Sequence, residues 1–208
     1  MQPIHNIYCV GRNYRLHAEE LGNDVPDIPV IFSKPTHALV KADGREITLP
    51  GDWGDVHFEV EFVVYIGRAF ETGMAVDDVV DGMALGVDFT LRDVQRELKK
   101  KGQPWLLAKG FPHSALITDF RPFPGTAQCL KTEFVLLKNG KTVQTGRMGD
   151  MLFDLQTIVE FIAAHVGLGG GDIIYTGTPA GVGPVSDGDR LTLRWGGETW
   201  GDCVVKLI

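Results

Sequence analysis

The sequence predicts an α+β fold that is rich in β-strands and carries a few helices at its periphery. Two observations favour this fold class. Short apolar runs that alternate with a period of two recur along the 208-residue chain, and 26 glycines and 11 prolines are spread among them as turn residues. Strands do not alternate regularly with long helical segments, as they would in a series of βαβ units. With neither a repeat nor a low-complexity linker, residues 1–208 are predicted to form a single domain.

Nine strands are predicted, and short glycine turns join two pairs of them. Asn139-Gly140 and Gly196-Gly197 are two-residue turns of the kind that closes a hairpin. The predicted strands cover residues 6–10, 30–33, 58–66, 83–90, 133–138, 141–145, 172–176, 190–195 and 199–206.

Helices are predicted to be fewer than strands. The clearest covers residues 150–166, where apolar residues recur at helical spacing and Gly167 ends the pattern. A mostly polar helix is predicted over 91–101, with shorter helical turns over 14–21 and 76–81.

Composition and charge exclude several classes of protein. The net charge is −7 and the sequence has no basic run beyond Lys99-Lys100-Lys101, so a nucleic acid is not expected as a partner. No apolar segment approaches the roughly 20 residues that span a bilayer, so no membrane is expected as a partner either. The N-terminus lacks the basic-then-apolar order of a signal peptide. Cys9, Cys129 and Cys203 are widely spaced and odd in number, which favours reduced thiols in core or surface positions and a cytoplasmic location.

The most informative stretch of the chain is residues 57–61, at the start of an apolar run that alternates like a strand. With a side-chain period of two, His57, Glu59 and Glu61 are predicted to share one face. Two carboxylates this close repel each other unless they are solvated, protonated or bound to a cation. The motif alone therefore leaves two interpretations open, a solvent-facing strand and a site for a hard divalent cation.

Asp88 adds a third carboxylate in an apolar strand, where an unpaired charge is costly to bury. Two glutamates and one aspartate, with no soft ligand at suitable spacing, favour Mg²⁺ or Mn²⁺ over Zn²⁺. The alternative for Asp88 is a residue at a strand end that caps the helix after it.

Other polar residues in distinctive contexts are candidates for chemistry. His17 and Glu20 are i,i+3 neighbours if their segment is helical, and a carboxylate beside an imidazole suits a general base, although such a pair is commonly a surface ion pair. Lys109 lies among apolar residues, so it either extends to solvent or faces an acidic site. The Gly/Pro-rich loop at 176–184, which includes Thr178, can hold a substrate carboxylate.

Six groups of residues, taken together in their order, are more specific than each alone. They are Gly11-Arg12-Asn13-Tyr14 with His17 and Glu20, Phe32-Ser33-Lys34-Pro35, His57-Phe58-Glu59-Val60-Glu61, the segment 88–95, Lys109-Gly110-Phe111 and Thr176-Gly177-Thr178-Pro179. The series strongly resembles the fumarylacetoacetate hydrolase family. It is most similar to the family's small, single-domain acylpyruvases and oxaloacetate-processing members, and the similarity runs from about residue 7 to the C-terminus.

The resemblance implies a fold, a cofactor and roles for particular residues. The implied fold is a mixed β-sandwich roll with peripheral helices, usually a homodimer. The implied metal is Mg²⁺ or Mn²⁺, held by Glu59, Glu61 and Asp88. The implied catalytic residues are His17 and Glu20, on a segment that orders as a lid over the substrate, together with Lys109. The implied substrate contacts are Arg12, Arg92, Gln95 and Thr178. The lid region, residues 21–29, is the least motif-like part of the sequence.

The resemblance also implies a reaction. The expected substrate is a small 2-oxo acid, and hydrolysis of the C–C bond of an acylpyruvate, such as fumarylpyruvate or acetylpyruvate, to pyruvate and a carboxylic acid is the first expectation. The metal would stabilise a pyruvate enolate as a Lewis acid, and Lys109 would add positive charge where negative charge develops. The alternatives are an oxaloacetate decarboxylase, an oxaloacetate keto–enol tautomerase, or a related hydratase or isomerase of aromatic catabolism. A non-catalytic metal-binding protein is the remote alternative.

Overall fold

The computed structural model describes residues 3–20 and 25–208, and within these residues 16 strands form three sheets. The strands are β1 (Ile7–Gly11), β2 (Val30–Lys34), β3 (Leu39–Lys41), β4 (Asp43–Leu49), β5 (Val56–Phe58), β6 (Val60–Ile66), β7 (Val80–Asp88), β8 (Thr90–Leu91), β9 (Ala115–Ile117), β10 (Arg121–Pro122), β11 (Glu133–Lys138), β12 (Lys141–Arg147), β13 (Ile173–Tyr175), β14 (Gly183–Pro184), β15 (Arg190–Trp195) and β16 (Glu198–Leu207). The α-helices are α1 (Arg15–Glu20), α2 (Arg92–Lys100), α3 (Leu106–Lys109), α4 (Thr126–Cys129) and α5 (Leu155–His165).

The main sheet runs in the order β2-β1-β13-β6-β7-β9-β3, with β10 paired to β7. It is mixed, because β1 is parallel to β13 and β3 is parallel to β9, whereas β6 and β7 are antiparallel. Every residue of β6 is buried. Phe62 and Val64 face one apolar cluster, and Val63 and Tyr65 face a second. Because both faces of this strand are covered, the solvent-facing interpretation of its carboxylates is wrong.

A five-stranded sheet in the order β12-β11-β15-β16-β4 packs against the main sheet. Aromatic rings join the two layers, with the ring centroids of Phe62 and Trp195 5.3 Å apart. The third sheet is small, in the order β14-β5-β8. This arrangement of curled sheets with few helices confirms the predicted β-rich, sandwich-like fold class.

The predicted continuous strand over 58–66 is wrong, because Glu59 interrupts it. The residues before the break belong to β5, where His57 pairs with Thr90 in the small sheet. The main-chain oxygen of Glu59 accepts a hydrogen bond from the Asp88 amide at 2.9 Å. The Val60 amide donates to the side chain of Gln144 at 2.8 Å, so the ladder does not continue through this point. His57 and Glu61 therefore lie in different sheets.

The long helix begins later than the sequence pattern indicates. Residues 148–150 form a separate 3₁₀ turn, and α5 starts at Leu155. Asp154 is its N-cap, because its carboxylate accepts a hydrogen bond from the Thr157 amide at 2.8 Å. Gly167 follows the helix end with a φ of 93°, as predicted for a C-terminal glycine.

Local turn chemistry predicted both hairpins correctly. Asn139 and Gly140 have φ angles of 52° and 78° between β11 and β12, and Gly196 and Gly197 have 54° and 89° between β15 and β16. The strands β3, β4, β9, β10 and β14 and the short helices α3 and α4 were not predicted. Most of them have two to four residues, too few for a periodic signal, and β4 begins with four exposed polar or glycine residues. The predicted strands over 58–66 and 83–90 include only one residue each of β5 and β8. No helix among the described residues is long and apolar enough to cross a membrane. The three cysteines are buried and form no disulfide.

Candidate metal centre and active-site cleft

Three buried carboxylates converge where β6 and β7 meet. Glu59 lies at the break before β6, Glu61 lies in β6, and Asp88 ends β7. They are 5%, 2% and 0% exposed, and one oxygen of each lies within 4.8 Å of the others. The hydrogen bond from the Asp88 amide to the Glu59 carbonyl joins the two strand ends directly. The main chain therefore brings the predicted ligands together.

Glu61 is the carboxylate with the least positive charge around it. Its Oε2 accepts a hydrogen bond from the Gly177 amide at 2.7 Å. Burial, followed by the charges of Asp88 and Glu59, raises the pKa of Glu61 well above its usual value. Additional positive charge beside Glu61 would therefore favour its ionised form.

Two cations predicted from the sequence lie against Glu59. Lys109 Nζ is 2.8 Å from Glu59 Oε2 and 2.6 Å from Asp88 Oδ2. Burial lowers the pKa of Lys109, but Asp88 and Glu59 outweigh it and the pKa is raised. Arg92 donates to Glu59 Oε1 and, at 2.8 Å, to Gln95 Oε1. Although burial raises the pKa of Glu59, Lys109 and Arg92 hold it well below its usual value.

A third cation, Lys34, was not predicted as part of the site. Its Nζ lies 2.7 Å from Asp88 Oδ1 and donates to the carbonyl oxygens of Lys109 and, at 3.3 Å, Phe89. Lys34 ends β2 at the edge of the main sheet, with its side chain fully buried. The segment Phe32-Ser33-Lys34-Pro35 was part of the sequence resemblance, but sequence spacing alone does not indicate which acid this lysine meets.

The donor set fits a hard divalent cation. It offers oxygen ligands from three buried carboxylates, and Mg²⁺ and Mn²⁺ prefer such ligands. Among the described residues no cysteine or histidine joins these acids within ligand distance, which disfavours Zn²⁺. Glu59, Glu61 and Asp88 are the residues that would hold the ion.

His17 lines the same cleft as the three carboxylates. It lies in α1 and is 5% exposed, with Nδ1 3.6 Å from Glu20 Oε2. Burial lowers the pKa of His17, and Arg92 and Lys109 act in the same direction, whereas Glu59 and Glu20 oppose it. The imidazole is therefore neutral at neutral pH.

Glu20 also joins α1 to the loop opposite it. Both of its carboxylate oxygens lie 3.2 Å from the Gly181 amide, which donates to them. The predicted lid extended from this helix through residues 21–29, and residues 21–24 of that segment lie outside the described residues. In the described part, Glu20 contacts both the imidazole and the glycine-rich loop.

Arg12 lines the cleft in an unusual backbone conformation, with a φ of 57°. A non-glycine residue in the left-handed region is strained by about 1–2 kcal/mol, so its neighbours must hold it there. Asn13 supplies that restraint, because its side chain donates to Thr176 O at 2.8 Å and accepts from the Phe153 amide at 2.8 Å. The chain is thus fixed just before α1 begins.

The remaining predicted substrate contacts also lie at the cleft. Gln95 and Thr178 line it, but the Thr178 hydroxyl donates to Val60 O at 2.8 Å and accepts from Gln144 Nε2 at 2.8 Å. The residues that line the cleft are Val10, Gly11, Arg12, His17, Phe32, Glu59, Glu61, Asp88, Arg92, Gln95, Lys99, Trp105, Lys109 and Thr178. Nine of the ten predicted site residues line the cleft. The tenth, Glu20, does not line it but contacts His17, which does.

Comparisons with known proteins agree on one family. The family model described as fumarylacetoacetate (FAA) hydrolase C-terminal matches residues 6–206. Oxaloacetate tautomerase YcgM of Escherichia coli (strain K12) is 39% identical over 203 residues, which cover 95% of this chain and 91% of that protein. The mitochondrial oxaloacetate tautomerase FAHD1 of Homo sapiens is 41% identical over 189 residues, which cover 89% of this chain and 85% of that protein.

A solved structure of a family member has the same fold as this chain. Fumarylpyruvate hydrolase from Pseudomonas aeruginosa, in complex with Mn²⁺ and pyruvate, superposes with a TM-score of 0.91 at 31% identity. The match covers 99% of this chain and 91% of that one. The resemblance inferred from the sequence motifs is confirmed, and the chain belongs to the fumarylacetoacetate hydrolase family of enzymes.

Proposed function

We propose that this protein is a divalent-cation-dependent oxaloacetate tautomerase, which interconverts the keto and enol forms of a 2-oxo dicarboxylic acid. One observation carries the proposal: a neutral imidazole, a charged lysine and three carboxylates line a single cleft. Groups whose pKa values are driven apart in one site are suited to different acid–base roles. Here His17 is placed to accept a proton and Lys109 to keep its charge.

The charges of the cleft support a dianionic substrate. Four cationic side chains are among its lining residues, against three carboxylates, and the latter are the proposed metal ligands. The cations are Arg12, Arg92, Lys99 and Lys109. With a divalent ion added, positive charge exceeds negative charge, so two carboxylates on the substrate are matched better than one. The relatives of E. coli and human origin, both named oxaloacetate tautomerases, support the same substrate.

Each chain residue has a distinct part in the proposed reaction. A bound Mg²⁺ or Mn²⁺ supplies Lewis-acid stabilisation of negative charge on the 2-oxo oxygen of the substrate. Lys109, held as an ammonium by Asp88 and Glu59, adds positive charge in the same cleft. Arg12 and Arg92 are placed to bind substrate carboxylates, because guanidinium groups match carboxylate geometry.

Proton transfer is assigned to His17. Its neutral ring accepts a proton from C3 of the keto form. The 2-oxo oxygen takes up a proton from water to become the enol hydroxyl, and the ring releases its proton to water, so the ring ends neutral and the reverse steps restore the keto form. Glu20 stabilises the protonated ring through its charge. The 3.6 Å separation of Nδ1 and Oε2 is longer than a hydrogen bond, and such contacts commonly tighten when substrate binds.

Acylpyruvate hydrolysis is the second candidate, favoured by the His17–Glu20 pair. The same neutral imidazole can deprotonate a water molecule that attacks the distal carbonyl of an acylpyruvate. The solved fumarylpyruvate hydrolase supports this candidate. The sequence resemblance alone placed hydrolysis first, whereas the two full-length relatives at about 40% identity move tautomerisation ahead of it.

One assay panel separates the candidates. Protein loaded with Mg²⁺ or Mn²⁺ is given oxaloacetate and acetylpyruvate, while enol–keto exchange, CO₂ release and pyruvate release are recorded in parallel. The proposal expects enol–keto exchange of oxaloacetate to have the highest kcat/KM of the three reactions, and to disappear in excess EDTA. Faster pyruvate release from acetylpyruvate would instead support the hydrolase, and faster CO₂ release would support a decarboxylase.

A further inference from the structure

Gln144 connects the five-stranded sheet to the metal centre although no sequence motif pointed to it. It is 2% exposed and lies in β12, opposite Leu136 of β11. The register of this strand pair shifts beside it, between Leu136 and Leu137, so Val143 is an extra residue on the β12 side. Gln144 and Gly146 are buried whereas Thr145 and Arg147 are exposed, so the alternation of β12 directs Gln144 to the interior face of its sheet. The bulge begins only beyond this pair.

The amide of Gln144 has three polar partners around the cleft. Its Oε1 accepts from the Val60 amide at 2.8 Å, and its Nε2 donates to Thr178 Oγ1 at 2.8 Å and to Pro179 O at 2.9 Å. A backbone amide must donate and a backbone carbonyl must accept, so this network fixes which end of the side chain is oxygen.

The Thr178 hydroxyl completes the network. It accepts from Gln144 and donates its hydrogen to Val60 O at 2.8 Å. Both polar groups of the Val60 backbone are therefore held, the amide by Gln144 and the carbonyl by Thr178. Val60 is the residue between Glu59 and Glu61, at the break in the strand.

We propose that Gln144 and Thr178 are positioning residues for the three carboxylates and act by fixing the Val60 backbone that joins Glu59 to Glu61. The predicted role of Thr178 was a substrate contact. In the structure its hydrogen is committed to Val60 O, which assigns the hydroxyl to the positioning network. Groups that orient metal ligands typically change metal affinity about 10–100-fold when they are removed.

The proposal rests on the proposed function in one respect, because the carboxylates are taken to bind a divalent cation. Mn²⁺ affinity is therefore measured by calorimetry on the full chain, and amide hydrogen exchange at Val60 is measured separately in metal-free protein. The second measurement reports on the Val60 hydrogen bond whether or not the protein binds metal.

The variants are Gln144→Met, Thr178→Val and Thr178→Ser. Methionine keeps the length of the side chain without its polar atoms, valine keeps the shape of threonine without its hydroxyl, and serine retains the hydroxyl. Gln144→Met and Thr178→Val are expected to weaken Mn²⁺ binding by about 10–100-fold. Thr178→Ser is expected to restore the affinity, and Gln144→Met to accelerate exchange of the Val60 amide.

Gln156 offers a matched control in α5. Its Oε1 accepts from the Val76 amide at 2.7 Å, and its Nε2 donates to Met74 O at 3.0 Å and to Glu160 Oε1 at 2.7 Å. Gln156→Met removes the same kinds of hydrogen bond away from the cleft and is expected to leave Mn²⁺ affinity and Val60 exchange unchanged.

Two results would overturn the inference. They are wild-type Mn²⁺ affinity in both Gln144→Met and Thr178→Val, or wild-type exchange of the Val60 amide in Gln144→Met. Absence of Mn²⁺ binding by the wild-type protein would count against the proposed function, and Val60 exchange would then decide the positioning role by itself.

Discussion

Lys34 Nζ lies 2.7 Å from Asp88 Oδ1 in the interior of the protein, and neither side chain is more than 1% exposed. Lys109 pairs with the other oxygen of Asp88 at 2.6 Å, so without Lys34 this buried carboxylate keeps one of its two cationic partners and is less fully compensated. The lysine is thus a structural counter-charge to one of the proposed metal ligands.

Replacing Lys34 by methionine should destabilise the fold strongly. Breaking a buried ion pair lowers the free energy of unfolding by about 3–5 kcal/mol. Urea unfolding of the metal-free protein measures this loss. Lys41 is the control, because it pairs with Asp119 at 2.6 Å while the two side chains are 49% and 91% exposed. Lys41→Met should cost no more than about 1 kcal/mol. Equal losses of unfolding free energy in Lys34→Met and Lys41→Met would show that the buried pair stabilises the fold no more than the exposed one.

Asp88→Asn should abolish binding of Mg²⁺ or Mn²⁺ and remove activity. Asparagine keeps the shape of the side chain but lacks the charge that a hard cation requires. Calorimetric titration with Mn²⁺ gives the affinity, and circular dichroism checks that the variant is folded. Asp119→Asn changes an exposed aspartate and should bind Mn²⁺ as the wild type does. Full activity of the wild-type protein after confirmed metal removal in EDTA would refute the metal dependence.

His17→Ala should separate catalysis from metal binding. Loss of a general base lowers the rate by about 10²–10⁴-fold, and the Mn²⁺ affinity should change little because the imidazole is not a proposed ligand. Oxaloacetate decarboxylation should suffer less than tautomerisation or hydrolysis, since it requires no general base. His165→Ala, at an exposed histidine of α5, should leave every activity unchanged. A tautomerisation rate that survives His17→Ala would show that another group moves the proton.

The acidic limb of the pH–rate profile should report His17. Burial lowers the pKa of its imidazole, so the base is neutral at neutral pH and the rate should fall only as the pH drops through that lowered pKa. The charge of Glu20 opposes the shift. Glu20→Gln should therefore move the acidic limb to still lower pH, whereas Glu19→Gln, at the exposed neighbour, should move it less. Movement of the acidic limb to higher pH in Glu20→Gln would contradict its assignment to His17.

The homodimer implied by the family resemblance stays a prediction. β2 is the edge strand of the main sheet, and α3, which contacts it, leaves Leu106 and Leu107 55% and 63% exposed. Edge strands and exposed apolar side chains are commonly covered by a partner. Light scattering at micromolar concentration should give about twice the 22.8 kDa chain mass. A stable species of 22.8 kDa would refute the dimer.

The parts of the site that sequence could predict depend on residues close together in the chain or on motifs shared with the family. Glu59 and Glu61 are two residues apart, and His17 and Glu20 are three apart, so their proximity follows from local geometry. The turn at Asn139-Gly140 is local in the same sense. Asp88 and Lys109 were predicted as site residues because each lies in an apolar segment and each belongs to the motif series. Their distances to Glu59 could be known only from the structure.

What sequence missed depends on contacts between distant segments. Lys34 meets Asp88 across 54 positions and Gln144 meets Val60 across 84, and contacts between such distant segments leave no periodic signal. The break at Glu59 was missed for the same reason, because alternation of apolar residues continues through it while the hydrogen-bond partners change. These two contacts and the strand break depend on which distant residues lie side by side in the fold, and residue type alone does not predict that.

The three carboxylates and the proposed proton-transferring pair are carried by separate parts of the fold. Glu59, Glu61 and Asp88 are attached to neighbouring strands in the interior, whereas His17 and Glu20 lie on the six-residue helix α1. Substitutions in α1 can therefore change the acid–base groups at the cleft while the strand ends that carry the three carboxylates keep their backbone hydrogen bond.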